Sequence, residues 1–216
     1  MTKQGLRELK KQETRKHISD VATGLFMARG FDNVTVAEVA EAAKVSKMTV
    51  FNYFPRKEDL FLDRHADRVA DLERAITQRQ PGESVAAALR RQQQELLAAN
   101  HPLSGAFEGV IVFWRVLRAS PALVSRMHEQ GAEIRAALVK ALDPDSADPL
   151  RTWLVAAQVA ATVISIFEVA VDQMLDGVPV AEVRRRQVRV IDDAFDLLEK
   201  GIGDYGARSL DSIPDR

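Results

Sequence analysis

The chain has 216 residues, 46% of them hydrophobic, and a formal net charge of −1. That is enough apolar material for a packed core, room for one small domain and one medium one, and no bulk attraction for a polyanion. There is no cysteine, which excludes disulfides and thiolate metal sites and fits a reducing cytoplasm.

Residues 1–16 are polar and lack the apolar stretch of a secretion signal. Over residues 1–17, Lys3, Arg7, Lys10, Lys11, Arg15 and Lys16 face only Glu8 and Glu13. Such a segment is either a solvated, disordered tail or a basic arm that meets phosphate locally. A first helix follows, with Ile18, Val21, Ala22, Leu25 and Phe26 on one face. Gly30 ends it as a left-handed residue, and Phe31 then falls where it packs back on Phe26. A short second helix starts at Thr35, where Thr35 and Glu38 form a capping box and Val34 and Val39 a hydrophobic staple. It runs to about Ala43. After a turn at Lys44-Val45, Ser46 caps a third helix, with Val45 and Val50 repeating the staple. This helix stops near Phe54, because Pro55 disfavours helical geometry in the residue before it.

A fourth helix is predicted from Pro55-Arg56, with Phe61, Val69, Leu72 and Ile76 along its apolar line. It ends before Gln80-Pro81-Gly82-Glu83, the clearest linker in the chain. Further helices are predicted near 84–99, 103–118, 121–142, 149–175 and 180–200. Their breaks are Asn100-His101-Pro102, Ser120-Pro121, Asp143-Pro144 and Asp176-Gly177-Val178-Pro179. No hairpin signal appears, so the expected fold is all-α with about nine helices. The apolar region 153–171 is interrupted by Gln158, Thr162, Ser165 and Glu168. It is read as a buried helix rather than a membrane span, which needs about 20 mostly apolar residues.

Residues 35–54 read TVAEVAEAAKVSKMTVFNYF: two short helices joined by a tight turn. The second turns Val45, Val50 and Phe54 inward and exposes Lys47, Met48, Thr49, Asn52 and Tyr53. A unit of this size can lay its second helix in a DNA major groove, about 12 Å wide, while the first crosses the backbone. Lysine suits guanine or phosphate, asparagine suits adenine, and Met48, Thr49 and Phe51 suit a thymine methyl.

This segment resembles the helix-turn-helix of the TetR (tetracycline-repressor-like) family. Thr35, Val36, Ala40, Ala43, Val45, Ser46, Thr49, Tyr53, Phe54 and Lys57 match its pattern, and residues 25–31, LFMARGF, resemble its helix-1 ending. Val39 replaces an isoleucine, Lys44 the turn glycine and Phe51 the usual tyrosine. A lysine at a positive-φ position costs about 1 kcal/mol relative to glycine. The resemblance is specific over about residues 10–65 and architectural beyond. It implies that Thr35, Tyr53 and Lys57 hold phosphates and that Lys47, Met48, Thr49, Phe51 and Asn52 face the groove. Val36 and Ser46 belong to the same interface. Against these roles stand plainer ones: Thr35 and Ser46 as caps only, Tyr53 as packing, Lys57 as a solvated charge. The domains expected are 1–78 for DNA binding with its linking helix, 79–200 for ligand binding and dimerisation, and 201–216 as a flexible tail.

In the body, the helix at 149–175 is apolar around most of its circumference, and the next offers Val183, Val190, Ile191, Ala194, Leu197 and Leu198 along one face. They form either an intramolecular core or, as the resemblance implies, a four-helix homodimer interface. Phe107, Ile111, Trp114, Met127, Trp153 and Phe167 either fill a dry core or line an apolar ligand pocket. Gln158, Thr162, Ser165 and Asp172, with Glu108, Arg115 and His128 nearby, either orient a ligand head group or face water.

The four histidines lack metal-ligand spacing, and there is no nucleophile elbow, phosphate-binding glycine loop or dinucleotide fingerprint. No catalytic residue, metal or cofactor is therefore expected. The expectation is a DNA-binding regulator, a repressor by the family's habit, acting on a palindromic operator as a homodimer and released by a small apolar or amphipathic molecule. A DNA-binding protein that needs no ligand is the alternative.

Overall fold

The computed structural model describes residues 3–142 and 147–202. Among these residues it contains ten α-helices and no strand, so the all-α expectation holds. Residues 203–216, most of the expected tail, lie outside the described residues.

The N-terminal unit is built on α1 (Lys3–Arg29), α2 (Val36–Ala42) and α3 (Lys47–Tyr53). The basic segment is no separate arm, since α1 already begins at Lys3. Ile18, Ala22 and Phe26 are fully buried on its inner face, each of the larger two contributing about 1.5–3 kcal/mol. Gly30 takes φ +83°, and the Phe31 ring returns to 4.9 Å from the Phe26 ring, as the sequence predicts. The capping box at Thr35 and Glu38 is complete, and the Ser46 hydroxyl accepts from the Thr49 N–H at 2.9 Å. Between them Lys44 sits at φ +55°. Its N–H reaches the Glu41 carbonyl and that of Val45 the Ala40 carbonyl, closing a Schellman turn on a lysine instead of a glycine.

The predicted fourth helix is two: α4 (Lys57–Phe61) and α5 (His65–Thr77). Nothing in Phe61-Leu62-Asp63-Arg64-His65 breaks a helix by propensity. The interruption is held from outside. Gln130 donates to the Leu62 carbonyl (3.3 Å), Ser19 to the Asp63 carboxylate (2.6 Å) and Arg15 to the Asp63 carbonyl (3.4 Å). Backbone groups freed at the break thus find partners on α1 and in the body.

The body comprises α6 (Val85–Ala98), a 3-10 turn (Pro102–Ser104), α7 (Val110–Ala119), α8 (Pro121–Leu142), α9 (Pro149–Leu175) and α10 (Val180–Lys200). The helix predicted from 103 starts only at Val110. Gly105, at φ +77°, lies so close to α9 that an added Cβ would meet the Phe167 carbonyl oxygen at 2.8 Å. The loop must therefore stay irregular to let α9 in. By length and composition α9 could cross a membrane. In the fold its inner face, including Ala156, Val159, Val163 and Ile166, is buried against the other helices. On α10 the inward face is Val183, Gln187, Ile191 and Phe195. Val183 and Ile191 therefore belong to the intramolecular core. Arg90 of α6 pairs with Asp196 (2.8 Å) and Glu199 (2.9 Å) along this seam.

Gly105→Ala should destabilise the protein by about 2 kcal/mol or more, from left-handed strain and the carbonyl clash together. Gly82→Ala, equally left-handed at φ +80° but in open space, should cost about 1 kcal/mol. Urea unfolding of both variants checks the difference; equal losses would mean that the loop yields.

Candidate nucleic-acid interface and ligand cavity

The outward surface of α3 is formed by Lys47, Met48, Phe51 and Asn52, all exposed, with Met48 at 69%. Val50 and Phe54 hold the opposite face in the core. The Lys47 ammonium lies 5.9 Å from the Phe51 ring centroid, one helical turn on. Thr49 and Tyr53 are half-buried, and the Thr49 and Ser46 hydroxyls lie 2.7 Å apart. Thr35 is exposed at the start of α2 and Val36 is half-buried beside it. The Glu38 carboxylate accepts from the Thr35 N–H (2.8 Å) and from Arg29 (2.7 Å). The Thr35 N–H first, then Arg29 and the Thr35 hydroxyl, pull its pKa down to about 2.

Lys57 is less free than its motif position implies. Its ammonium donates to the Phe31 carbonyl at 2.7 Å and lies 4.1 Å from the Phe31 ring centroid. Burial lowers its pKa despite Asp32, Glu58 and Glu38 nearby. Two donors of the ammonium remain for other acceptors. Arg15, counted above in the basic segment, is also committed inward, 4.6 Å from the centroid of the Phe54 ring. Lys16 pairs with Asp20.

A cavity of about 800 Å³ opens among α1, the α4–α5 junction, α7, α8 and α9. That is within the range of sites for drug-sized ligands, roughly 300–1,000 Å³. Its walls include Phe61, Phe113, Trp114 and Phe167. The Phe61 and Phe113 rings stack at 4.2 Å and 8°. Phe26 meets Phe61 edge-on at 5.9 Å, carrying the ring contacts on to α1. Ser19, Asp20, Thr23 and Met27 of α1 also line the cavity, so the N-terminal unit forms part of its wall. The polar lining combines Arg64, His65, Arg68, His128 and Arg135 with Asp20, Asp63, Gln130 and Glu168. The Trp114 Nε1 is buried without a hydrogen-bond partner. Among the described residues no three His, Asp or Glu side chains are grouped to hold a metal ion.

Comparison with known proteins finds relatives of the N-terminal part of the chain. Residues 18–63 match the profile described as "Bacterial regulatory proteins, tetR family". The chain is 27% identical over 141 residues to the HTH-type transcriptional regulator TcmR of Streptomyces glaucescens, covering 63% of this chain and 62% of that one. It is 44% identical over 50 residues to the HTH-type transcriptional regulator AcrR of Shigella flexneri, covering 23% of each chain. The match thus spans under two thirds of the length of these relatives. Among solved structures, the fold is similar to the SmeT–triclosan complex, with a TM-score of 0.55 at 17% identity, over 85% of this chain and 90% of that one. Over residues 18–63 the chain is thus similar to the regulators of the tetR family.

Of the residues expected at a ligand pocket, Phe107, Trp114, Met127 and Phe167 line the cavity. Ile111 and Trp153 do not. The cavity face of α7 is Val110, Phe113, Trp114 and Leu117, spaced i, i+3, i+4, i+7, and Ile111 lies about 100° round from Val110. It packs against the core from outside that face. Trp153 is one turn before Ala157 and 47% exposed, with the Arg135 guanidinium 5.5 Å from its ring. The polar line Gln158, Thr162, Ser165 and Asp172 is also absent from the cavity walls. It lies on the outward side of α9, and Asp172 pairs there with Arg118. Glu108 and Arg115 likewise stand outside the lining, whereas His128 is in it. The basic side chains from α5 and the junction had no sequence signal, because the helix break that aims them was not visible.

Glu38 supplies a pH test. Its folded pKa lies below its ordinary value of 4.5, so its stabilisation is complete above 4.5 and fades as pH falls towards about 2. Glu38→Gln should therefore lower stability at neutral pH, and its deficit against the native protein should shrink through that window. A deficit that stays constant from neutral pH down to about 2 would show that the carboxylate is not held as described.

Proposed function

We propose that the protein is a DNA-binding transcriptional regulator that binds a palindromic operator as a homodimer and is released from it by a small apolar or amphipathic molecule. The exposed row Lys47, Met48, Phe51 and Asn52 on a short, rigidly seated helix carries the first part. No structural need explains four outward side chains of that chemistry, and they suit base edges and thymine methyls. Thr35, Tyr53 and Lys57 flank the row as phosphate contacts, with Val36, Ser46 and Thr49 shaping the surface between. Repression is the mode proposed, by the family's habit.

Dimerisation is supported by the outward strip of α9. Leu150, Leu154 and Val169 are exposed there beside Gln158 and Ser165. The expected site on α10 narrows to residues outside the core, such as Leu197, which is exposed. Ligand release is supported by the cavity, whose wall includes α1 itself. SmeT, of similar fold, has been solved with triclosan. A ligand that prefers one placement of α1 changes the separation of two recognition helices in a dimer. DNA accepts only separations near a helical turn of about 34–36 Å or its multiples.

Two experiments test this reading. In operator selection followed by titration in salt, Asn52→Ala should change base preference at a fixed position in each half-site. Lys57→Ala should weaken binding to every duplex alike and lower the salt slope by about 1 per protomer. If both variants lose affinity uniformly, Asn52 only positions the helix. In sedimentation at micromolar concentration the protein should run as a dimer and the double variant Leu154→Glu/Val169→Glu as a folded monomer. A native monomer would defeat the interface.

A further inference from the structure

Among the described residues Arg64, Arg68 and Arg135 line the cavity without a carboxylate partner, and of these Arg68 is the one that lies over a ring of the cavity wall. Arg68 projects from α5 into the cavity wall, its guanidinium 4.5 Å from the centroid of the Phe167 ring. Among the described residues it has no carboxylate within ion-pair distance and no hydrogen-bond acceptor for its side chain. The nearby acids are largely engaged elsewhere. Asp20 pairs with Lys16, Asp63 accepts from Ser19, and Asp71 pairs with Arg74. His65, one turn back, offers no negative charge; its partner is Glu133. Glu168 also lines the cavity, on the exposed side of α9, and makes no ion pair with Arg68.

Desolvation alone brings the Arg68 pKa down to about 10, so it stays charged at neutral pH. Arg68 is half-buried, and a guanidinium withdrawn from water is usually paired, because removing one partner of a buried pair costs several kcal/mol. Arg126, on the neighbouring α8, shows the ordinary solution: its guanidinium meets Asp59 at 2.7 Å, Glu133 at 2.6 Å and Glu129 at 3.3 Å. Arg68 has instead an aromatic face below it and open cavity beside it. Stacking on Phe167 holds the guanidinium plane and leaves its edge donors for a planar acceptor.

The geometry points to an effector that is an aromatic monoacid: an apolar ring system seated among Phe61, Phe113, Trp114 and Phe167, with one carboxylate held by Arg68. This rests on the reading of the cavity as an effector site and specifies its ligand. A guanidinium matches a carboxylate in charge and in bidentate geometry, and the acids Asp20, Asp63 and Glu168 in the same lining disfavour a second negative charge. The anchor stands on α5, directly after the junction that α1 and α8 hold together, so binding there bears on the part of the fold that joins the two domains.

The test uses the full-length protein and a neutral fluorescent reporter, N-phenyl-1-naphthylamine, displaced by 2-naphthoate or by its uncharged isostere 2-naphthamide. The native protein should bind the naphthoate about tenfold or more tighter than the amide, the preference expected for a charged hydrogen-bonded pair. Arg68→Met keeps the stem over Phe167 and should erase the preference while leaving reporter and amide affinity unchanged. Arg68→Lys should restore part of it. Equal affinity for acid and amide in the native protein, or a preference that survives Arg68→Met, overturns the anchor but leaves the cavity reading intact. Failure of the reporter to bind the native protein overturns the cavity reading and the anchor with it. A loss of reporter, acid and amide binding together in Arg68→Met, with Arg68→Lys normal for the reporter but without preference for the acid, also overturns the anchor, since Arg68 would then be packing only.

Discussion

The packing of Phe61 is the constraint on which the molecule turns. Its ring is buried and belongs to three neighbourhoods at once: stacked on Phe113 of α7, edge-on to Phe26 of α1, and part of the cavity wall. Phe26 in turn carries Phe31, whose carbonyl and ring hold the Lys57 ammonium at the start of α4. A short helix of five residues is marginal on its own, since helix nucleation costs more than one turn returns. α4 is stable because both its ends and its apolar side are fixed to other elements. Interiors packed at crystal density yield in discrete steps rather than continuously. A ring inserted beside Phe113 therefore meets a stack that must either stay or move with α4 and α1.

The polar contacts around that stack are concentrated at the same joint. Arg126, only 12% exposed in its side chain, is shared by Asp59 of α4 and by Glu129 and Glu133 of its own helix. Burial works against its charge, but the bonds to Glu133 and Asp59 more than offset this and raise its pKa. Arg56 reaches Glu129 at 2.5 Å. His65 bonds to Glu133, yet burial is the larger effect and lowers its pKa. Folding thus favours the neutral imidazole, a contribution fully present above the ordinary histidine value and lost as pH falls below it. At neutral pH the joint is an arginine–carboxylate cluster, with the imidazole as a hydrogen-bonding neighbour. Removal of one member leaves its partners partly desolvated, so the cluster keeps a preferred arrangement of head and body more than it adds net stability.

What could be read from the amino-acid order was whatever depends on local rules. Thr35, Glu38 and Ser46 cap their helices as expected, Lys44 adopts the positive φ inferred for it, and Pro55 places the end of α3. The boundaries of α8, α9 and α10 follow from proline, glycine and periodicity. What escaped depends on partners distant in sequence. The break at residues 62–64 is held by Ser19, Arg15 and Gln130, 44 to 68 positions away. Lys57 looked like a free cation because Phe31 is 26 residues off. Bulky apolar side chains marked Phe107, Trp114, Met127 and Phe167, which line the cavity, but could not tell Ile111 and Trp153 from them, since that depends on where the cavity ends. On α10, hydrophobicity marked Val183 and Ile191 without saying which side they face.

Because α1 forms part of the cavity wall, communication between a ligand and the reading head needs no long relay. Side chains of α1 and α9 line the same space. In the function proposed, a molecule filling it would act directly on the distance between the head and the helices that would hold the dimer. What matters is then not how tightly the molecule binds but how differently it binds the two placements of α1. A ligand indifferent to them shifts nothing. Coupling of about 1–3 kcal/mol, or roughly 5–150-fold, is typical and would suffice for a switch, and operator DNA must then weaken ligand binding by the same factor. A charged anchor on α5 suits that requirement. Apolar contacts with the rings tolerate small displacements, because dispersion falls off gradually and the rings can follow. A bidentate pair with a single guanidinium has narrower geometric limits. The rings would supply most of the affinity, while the charge fixes which placement of the helices the bound molecule accepts.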